Sequence, residues 1–184
     1  MFKFRRMRSM DPLQVAMTGV RMGERYLQVF CSDVTLTRGL ASKTGLSGVA
    51  ALAANDLAQA ARARSAATKA GALIDVQIAE PSEFPWDPGS FDMVVIDETG
   101  GDFSVLSTID RRGLLDAVKR ALRDGGRVEI IERVGGGLFG GGGSAPAQYA
   151  QDGGAEGVLR QAGFNPVRTL AERDGFRFVE GLKG

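Results

Sequence analysis

The sequence predicts an α/β protein with a doubly wound, mostly parallel sheet, helices on both faces and an antiparallel hairpin at the end. Short apolar runs alternate with helical segments along most of the chain, which favours parallel strands joined by helices. Asp174-Gly175 separates the last two apolar runs, and this dipeptide is a strong hairpin signal. With 184 residues, 43% of them hydrophobic, the chain is long enough for one domain with one core, over residues 11–184.

Each element follows from local patterns and from start and stop signals. Asp11 and Pro12 begin the first helix, Ser32 or Asp33 caps the second, and Gly71 ends the third. Residues 124–126 are predicted to form a turn. The predicted helices are roughly 13–20, 35–44, 55–70, 111–122 and 156–163, and the predicted strands are roughly 26–30, 49–53, 74–79, 91–97, 127–134, 167–172 and 176–182.

Composition excludes several classes of function. The net charge of +1 gives no overall attraction to nucleic acid, so a nucleic-acid partner is not expected. Cys31 is the single cysteine, so no internal disulfide forms, and a reducing, cytoplasmic compartment is predicted. Histidine is absent, which removes the commonest general base and metal ligand, so no metal site is expected. No apolar run approaches the roughly 20 residues of a membrane span.

Residues 1–10, MFKFRRMRSM, form a basic N-terminal arm with interleaved apolar side chains. The arm lacks the apolar core of a signal peptide. Two functions are compatible with it: peripheral contact of residues 1–8 with an anionic membrane surface, and docking on a partner protein or on RNA. A solvated terminus without a function is the third interpretation.

A second unusual segment is the glycine-rich stretch 134–146, VGGGLFGGGGSAP. Its high backbone entropy predicts a loop. A glycine-rich loop that cradles phosphate requires a suitably placed lysine, and no lysine follows here. A lid or a partner-contacting loop over residues 135–143 is therefore favoured.

Four segments carry a resemblance to a known family: ARARSAATKAG (61–71), FPWDPGSFDMVV (84–95), LRDGGRVEI (122–130) and QAGFNPVRTLAERDGFRFVEG (161–181). With them, the chain resembles the class I S-adenosylmethionine-dependent methyltransferases. The resemblance implies a Rossmann-like seven-stranded sheet and S-adenosylmethionine as the cofactor. These segments mark the fold and carry little information about catalysis.

The first cofactor motif of the family corresponds to residues 26–34, and its key positions differ here. Gln28 stands at the acidic position, and Phe30, Ser32 and Val34 stand at the three glycine positions. In the family, these glycines let the backbone approach the cofactor and adopt unusual φ angles. A phenylalanine ring at position 30 either fills the cofactor's space or turns into the core. Asp33, at a helix N-terminus that favours an anion, is a carboxylate supplied by the protein itself.

The other motif positions are Ala54, where the family has an acid for the ribose, and Glu80, where an acid faces the adenine. Asn55 or Asp56 replaces the ribose acid if the register shifts, although Asp56 is better explained as a helix cap. The candidate acids and bases at the carboxyl edge of the sheet are Asp97, Glu98, Glu132 and Tyr149, with Asp97 also a cofactor-contact position. No catalytic base is assigned among them.

Two functions remain open after the sequence. The favoured one is a pseudoenzyme: a methyltransferase-fold accessory, scaffold or ligand-sensing protein with a degenerate cofactor site. The alternative is an active methyltransferase for a small molecule with a divergent pocket, because methyl transfer often requires only proximity and orientation. Another nucleotide-binding Rossmann enzyme is disfavoured, because the turn after the first predicted strand carries no glycine between Phe30 and Arg38.

Overall fold

The computed structural model describes residues 12–134 and 146–184. The N-terminal arm and the predicted loop 135–143 lie outside the described residues. The helices are α1 (Leu13–Met17), α2 (Val34–Thr44), α3 (Leu57–Ala70), α4 (Thr108–Ala121), α5 (Ala147–Gln151) and α6 (Gly154–Gln161). The strands are β1 (Arg25–Val29), β2 (Val49–Ala54), β3 (Asp75–Ile78), β4 (Phe91–Glu98), β5 (Leu122–Arg133), β6 (Val167–Arg173) and β7 (Phe176–Leu182).

The seven strands form one sheet in the order β3-β2-β1-β4-β5-β7-β6. The first five strands in this order form four parallel pairs, and β7 pairs antiparallel with both β5 and β6. The predicted fold class is therefore confirmed. The chain winds outward from β1 to β3 and then returns to place β4 on the other side of β1. In such sheets, ligands bind at the carboxyl ends of the strands flanking this reversal.

Helices cover both faces of the sheet. On one face, Leu36 and Leu40 of α2 pack with Tyr26 and Met93 of the sheet. Ala60 and Ala63 of α3 join a smaller cluster on the same side, with Leu52 of β2. On the other face lies the largest cluster, which includes Leu114 and Val118 of α4 and Leu159 of α6.

Two boundaries near the start of the described residues differ from the prediction. Helix α1 ends at Met17, earlier than expected, because Gly19 adopts a left-handed φ of 63° and cannot continue it. Pro12 is its N-cap, whereas the predicted cap Asp11 lies outside the described residues. Strand β1 ends at Val29, so Phe30 belongs to the turn that follows and not to the strand.

The predicted turn at residues 124–126 is part of β5, which begins at Leu122 with a register shift against β4. The backbone of Lys183, directly after β7, holds this irregular start. It accepts from the backbone N–H of Gly125 at 3.0 Å and donates its own N–H to the Gly126 carbonyl at 2.8 Å. The short helix α5 was not predicted.

The hairpin between β6 and β7 is confirmed. Asp174 and Gly175 both have positive φ, 54° and 79°, as the mirror-image turns of two-residue hairpins require. In the described part of the chain, no helix has both the length and the apolarity needed to span a bilayer.

Candidate functional site

The candidate site is the turn between β1 and α2, together with the carboxyl ends of β2 and β4. Strand β1 lies between these two strands, with Gln28 opposite Leu52 on one side and opposite Val95 on the other. The turn, residues 30–33, thus emerges where the strand order reverses. Its conformation decides what can bind there.

Phe30 occupies the first glycine position of the family motif and keeps a glycine-like backbone. Its φ is 66°, and it is only 4% exposed. A non-glycine residue in this left-handed region costs about 1–2 kcal/mol. The side chain belongs to the largest buried cluster, with Ala53 and Phe103, and also lines the remaining cavity of the cleft. Phe30 therefore fills space at the position where glycine would leave it open.

Gln28, at the family's acidic position, is fully buried beneath this turn. Its Nε2 donates to the Phe30 carbonyl at 2.9 Å and to Thr37 Oγ1 at 3.0 Å. Its Oε1 has no hydrogen-bond partner among the described residues. The amide thus braces the turn against α2 and supplies no negative charge to the cleft.

Asp97, at the end of β4, is fully buried and binds the turn directly. Its Oδ2 accepts from the backbone N–H groups of Ser32 and Asp33, both at 2.8 Å. Its Oδ1 accepts from the backbone N–H of Thr99 at 3.1 Å and from Thr99 Oγ1 at 2.6 Å. Burial raises the pKa of the Asp97 carboxyl group, and these donors offset part of that increase. Protein donors therefore occupy both oxygens.

Asp33 caps α2, accepting the Thr35 backbone N–H at 2.8 Å. Together with Asp97, it leaves the start of α2 with carboxylates that the protein provides. A helix N-terminus favours an anion through its free N–H groups and its dipole. Here, three of the N–H groups that could face a ligand, those of Ser32, Asp33 and Thr35, bind protein carboxylates instead.

Asp102, in the loop between β4 and α4, crosses the mouth of the cleft. Its Oδ2 accepts from Ser32 Oγ at 2.7 Å and from Gln59 Nε2 at 3.2 Å, and its Oδ1 accepts from Asn55 Nδ2 at 3.3 Å. Gln59 in turn accepts the Cys31 backbone N–H at 3.1 Å. This set of side chains, Ser32, Asn55, Gln59 and Asp102, is called the latch below. The latch joins the β4–α4 loop to the turn after β1 and to the start of α3.

Gly100 lets the loop approach the turn this closely. A Cβ added to Gly100 would lie 2.5 Å from Ser32 Oγ and 2.7 Å from Ser32 Cβ, closer than real Cβ atoms approach other atoms. Glu98 holds the next part of the loop, accepting the backbone N–H groups of Phe103 at 2.7 Å and Ser104 at 3.1 Å. The loop is thus fixed over the cleft at both its start and its middle.

Of the remaining motif positions, Ala54 and Asn55 line the cleft, whereas Asp56 and Glu80 do not. Ala54 is buried at the end of β2, and Asn55 is exposed and bonded to Asp102. Asp56 caps α3, accepting the Gln59 backbone N–H at 2.7 Å, which confirms the capping interpretation. Glu80 is exposed after β3.

A cavity of about 50 Å³ remains in the cleft. Its walls include Phe30, Ala54 and Asp102, together with Leu106 and Leu114. Pockets for drug-sized ligands and cofactors usually measure about 300–1,000 Å³. The cavity in the cleft is smaller than such pockets.

A family model described as "Methyltransferase domain" matches residues 27–130, more than half of the chain. The chain belongs to this methyltransferase family. No curated protein matches the sequence significantly.

Solved structures with the same fold include a SAM-dependent methyltransferase from Aquifex aeolicus, with a TM-score of 0.75 and 18% identity, covering 92% of this chain and 87% of that chain. PigF with SAH gives a TM-score of 0.60 and 18% identity, and the match covers 88% of this chain and 50% of the PigF chain. The S-adenosylmethionine-dependent methyltransferase SibL in its apo form gives a TM-score of 0.63 and 20% identity, and the match covers 93% of this chain and 52% of the SibL chain. The chain thus spans about half of the PigF and SibL chains. At these identities, the similarity establishes the shared fold.

Beside the cleft, the methyltransferase sheet carries two carboxylates at adjacent register positions, Glu98 of β4 and Glu132 of β5. Burial raises the pKa of both, and the negative charge of Glu132 raises that of Glu98 further. Such a pair can in principle hold or transfer a proton. However, the backbone of the β4–α4 loop engages Glu98, and Tyr149 Oη donates to Glu132 at 2.6 Å.

Tyr149 is itself buried and does not extend over the cleft. Its ring packs edge-on against Phe103, with centroids 5.9 Å apart, and the Arg111 guanidinium lies 4.9 Å from its centroid. Arg111 also pairs with Asp152 at 2.9 Å. The group fixes α5 and the β4–α4 loop to α4. Within the described ranges, no three His, Cys, Asp or Glu side chains form a possible metal site.

Sequence reasoning missed Asp102, Gln59 and Thr99. The family motifs assign no role to these positions. A usable signal was the Gly100-Gly101 pair directly before Asp102, because two glycines after a strand permit a close approach between loops. Cys31, the single cysteine, is fully buried, and burial raises the pKa of its thiol.

Proposed function

We propose that this methyltransferase-family protein is a non-catalytic accessory, scaffold or ligand-sensing protein whose own side chains close its cofactor cleft. The position of Asp102 carries the proposal, because it binds Ser32, Asn55 and Gln59 across the site where a cofactor would lie. The single cysteine, buried and unpaired, supports a reducing, cytoplasmic setting.

The free energy of opening the cleft supports this proposal. A cofactor must displace Asp102 from three partners and move the Phe30 ring out of the core. Hydrogen bonds to a charged group contribute about 1.5–3 kcal/mol each when net values are measured. Micromolar binding supplies about 8 kcal/mol in total. Opening the latch and unpacking Phe30 would therefore consume a large part of the binding energy of an ordinary cofactor.

Thermal unfolding of the full chain with S-adenosylmethionine and with S-adenosylhomocysteine tests the proposal. A ligand at 100 times its dissociation constant stabilises a protein by about 2.7 kcal/mol, which raises Tm by several degrees in a domain of this size. We expect no shift with either compound at 1 mM. A concentration-dependent shift would contradict the proposal.

The second candidate is an active S-adenosylmethionine-dependent methyltransferase whose latch opens when the cofactor binds. The exposure of the latch supports this candidate, since the bond between Asn55 and Asp102 is long, 3.3 Å, and lies at the surface. With the loop displaced, Asn55 and Asp102 would face ligand hydroxyl groups at the end of β2. A Tm shift with S-adenosylmethionine, together with methyl transfer to a small acceptor, would favour this candidate over the first.

The N-terminal arm and residues 135–143 are proposed as additional contacts for a partner protein, with peripheral membrane contact of residues 1–8 as the alternative. The support comes from the interleaved cations and apolar residues of the arm. A chain that begins at Asp11 should lose partner capture if the arm binds protein. It should instead lose sedimentation with anionic vesicles if the arm binds lipid. If the truncation changes neither partner capture nor sedimentation with vesicles, the result argues for a solvated terminus.

A further inference from the structure

Helices α2 and α3 concentrate positive charge on one side of the molecule. Their sequences, VTLTRGLASKT and LAQAARARSAATKA, contain five Arg or Lys residues and no Asp or Glu. The whole chain is nearly balanced, with 23 basic and 22 acidic residues. The nearest acids in sequence, Asp33 and Asp56, are N-caps at the carboxyl edge of the sheet. The basic residues of the two helices are Arg38, Lys43, Arg62, Arg64 and Lys69.

A groove of about 410 Å³ runs between these two helices. Small side chains, Ala61, Ser65 and Ala66, line it from α3. Cations from both helices flank it, Arg38 from α2 and Lys69 from α3. Val34 and Arg62 also line the groove. It is called the basic groove below and is lined by Val34, Arg38, Ala61, Arg62, Ser65, Ala66 and Lys69.

The cations of the basic groove, and Arg64 of the same helix α3 outside it, form no salt bridge within the described part of the chain. Arg62 donates to the Cys31 carbonyl at 3.1 and 3.3 Å, and Arg64 donates to the Val76 carbonyl at 2.9 Å. Neutral carbonyls hold both guanidinium groups in place and leave their charge uncompensated. Arg38, Arg62, Arg64 and Lys69 pair with no carboxylate among the described residues.

We propose that the basic groove binds an acidic amphipathic helix of a partner protein. A shallow channel between two helices with small side chains accepts the ridge of a third helix. Helix-in-groove recognition uses apolar residues at three- and four-residue spacing. Glu or Asp side chains beside that ridge would meet Arg38 on one flank and Lys69 on the other, which gives charge complementarity. Neither helix carries an aromatic residue to stack on bases, so the groove favours a protein helix over single-stranded nucleic acid.

This inference rests on the proposed accessory role and gives that role a contact surface. Its test measures partner binding and not cofactor binding. If the cleft binds no cofactor and the groove binds no helix, only the proposal about the groove is overturned. If the cleft binds the cofactor and the groove binds a helix, only the proposed non-catalytic function is overturned.

A single cross-linking position can locate the partner. Ser65 lines the groove and is exposed, and Cys31 is buried, so Ser65→Cys creates one accessible thiol among the described residues. The full-length variant, labelled with a thiol-linked photo-cross-linker, is irradiated in lysate of the source cells. The attached peptide is then identified by mass spectrometry. We expect a segment with Asp or Glu beside a small apolar stripe at helical spacing.

Charge-reversal variants then test whether the cations of the basic groove bind the identified peptide. The identified peptide is synthesised, and its affinity is measured by fluorescence anisotropy for the unmodified chain, for Arg38→Glu/Lys69→Glu, and for the control Arg21→Glu/Arg120→Glu. The control changes two exposed cations outside the groove by the same total charge. We expect at least tenfold weaker binding for the groove variant, unchanged binding for the control, and equal circular dichroism for all three. No cross-link, a non-acidic peptide, equal losses in both variants, or a nuclease-sensitive adduct would each overturn the proposal.

Discussion

Asp97 at the end of β4 accepts the backbone N–H groups of both Ser32 and Asp33 at 2.8 Å, and so fastens the turn after β1 to the neighbouring strand. In this methyltransferase fold, that turn would otherwise approach the cofactor. The carboxylate is fully buried, and Thr99 donates to its second oxygen. Asp97 therefore stabilises this conformation of the turn, and its removal should reduce the stability of the whole domain.

Replacing Asp97 by alanine should lower the free energy of unfolding by about 3 kcal/mol. The substitution leaves the N–H groups of Ser32 and Asp33 without their acceptor, and lost bonds to a charged group cost about 1.5–3 kcal/mol each. Urea unfolding followed by circular dichroism measures the change. The control is Asp116→Ala, which removes an exposed i,i+4 pair with Arg112 and should cost at most about 0.5 kcal/mol. Equal effects of the two substitutions would refute the structural role of Asp97.

At position 30, the glycine variant should be more stable than the alanine variant, which is the reverse of the usual order of stability. Elsewhere, glycine is less stable than alanine by about 0.5–1 kcal/mol because of its backbone entropy. At Phe30, the φ of 66° strains any residue with a Cβ, so Phe30→Gly should be more stable than Phe30→Ala by about 1 kcal/mol. Both variants should be less stable than the wild type, because a buried ring is lost.

The control for this comparison is Phe178, which is also buried and lies in β7. There, the alanine variant should be the more stable one. Thermal unfolding of the four variants measures both orders. The same order at both positions would show that Phe30 carries no backbone strain.

The latch should contribute measurably to stability through Ser32 and Asp102. Asp102→Ala removes three acceptor contacts, and Ser32→Ala removes the shortest of them, 2.7 Å. Because the two side chains share that bond, the double variant should be less destabilised than the sum of the singles, by about 1 kcal/mol. Additive losses would mean that the bond between Ser32 and Asp102 contributes nothing to closing the cleft.

Glu129 should make stability depend on pH. Its pKa is raised from 4.5 to about 8, mainly by burial and also by the negative charge of Glu180, with Arg127 opposing the increase. Both of its oxygens lack a hydrogen-bond partner among the described residues. Between these two pH values, the folded state keeps the proton and the unfolded state releases it. Stability should therefore fall as pH rises from about 4.5 to 8, by an amount on the order of a few kcal/mol, and then level off.

Glu129→Gln tests this dependence, because glutamine cannot ionise. The variant should lose most of the decline between pH 5 and 8 and should exceed the wild type in stability at pH 8. Denaturant unfolding at several pH values measures both curves. Parallel curves for the two proteins would exclude Glu129 as the group responsible.

Much of the fold could be predicted from the sequence, because the dominant signals were local. Alternating apolar and helical segments fixed the element order, and Asp174-Gly175 identified the final hairpin. The start of β5 was misjudged because the Asp124-Gly125-Gly126 segment resembles a turn, whereas pairing with Lys183, far away in sequence, makes it part of the strand. No local pattern reports such a long-range bond.

The candidate site could be predicted only at its motif positions. The sequence singled out Phe30, whose ring was expected either to fill the cofactor's space or to turn into the core, but it did not reveal the left-handed backbone of this residue. It could not identify the latch, because Asp102 lies 70 residues from Ser32, and only the folded sheet brings the two together. Asp97 was recognised as a polar residue at the correct edge, but its four backbone and hydroxyl donors depend on the turn's exact path.

Isothermal titration of S-adenosylhomocysteine into the wild type and into Phe30→Gly/Asp102→Ala tests the closed cleft most directly. Circular dichroism must first confirm that both proteins are folded at the titration temperature. We predict no measurable heat for the wild type up to 1 mM ligand and saturable binding for the variant, whose cleft lacks both the ring and the latch carboxylate. Saturable binding to the wild type with a dissociation constant below about 100 μM would contradict the account.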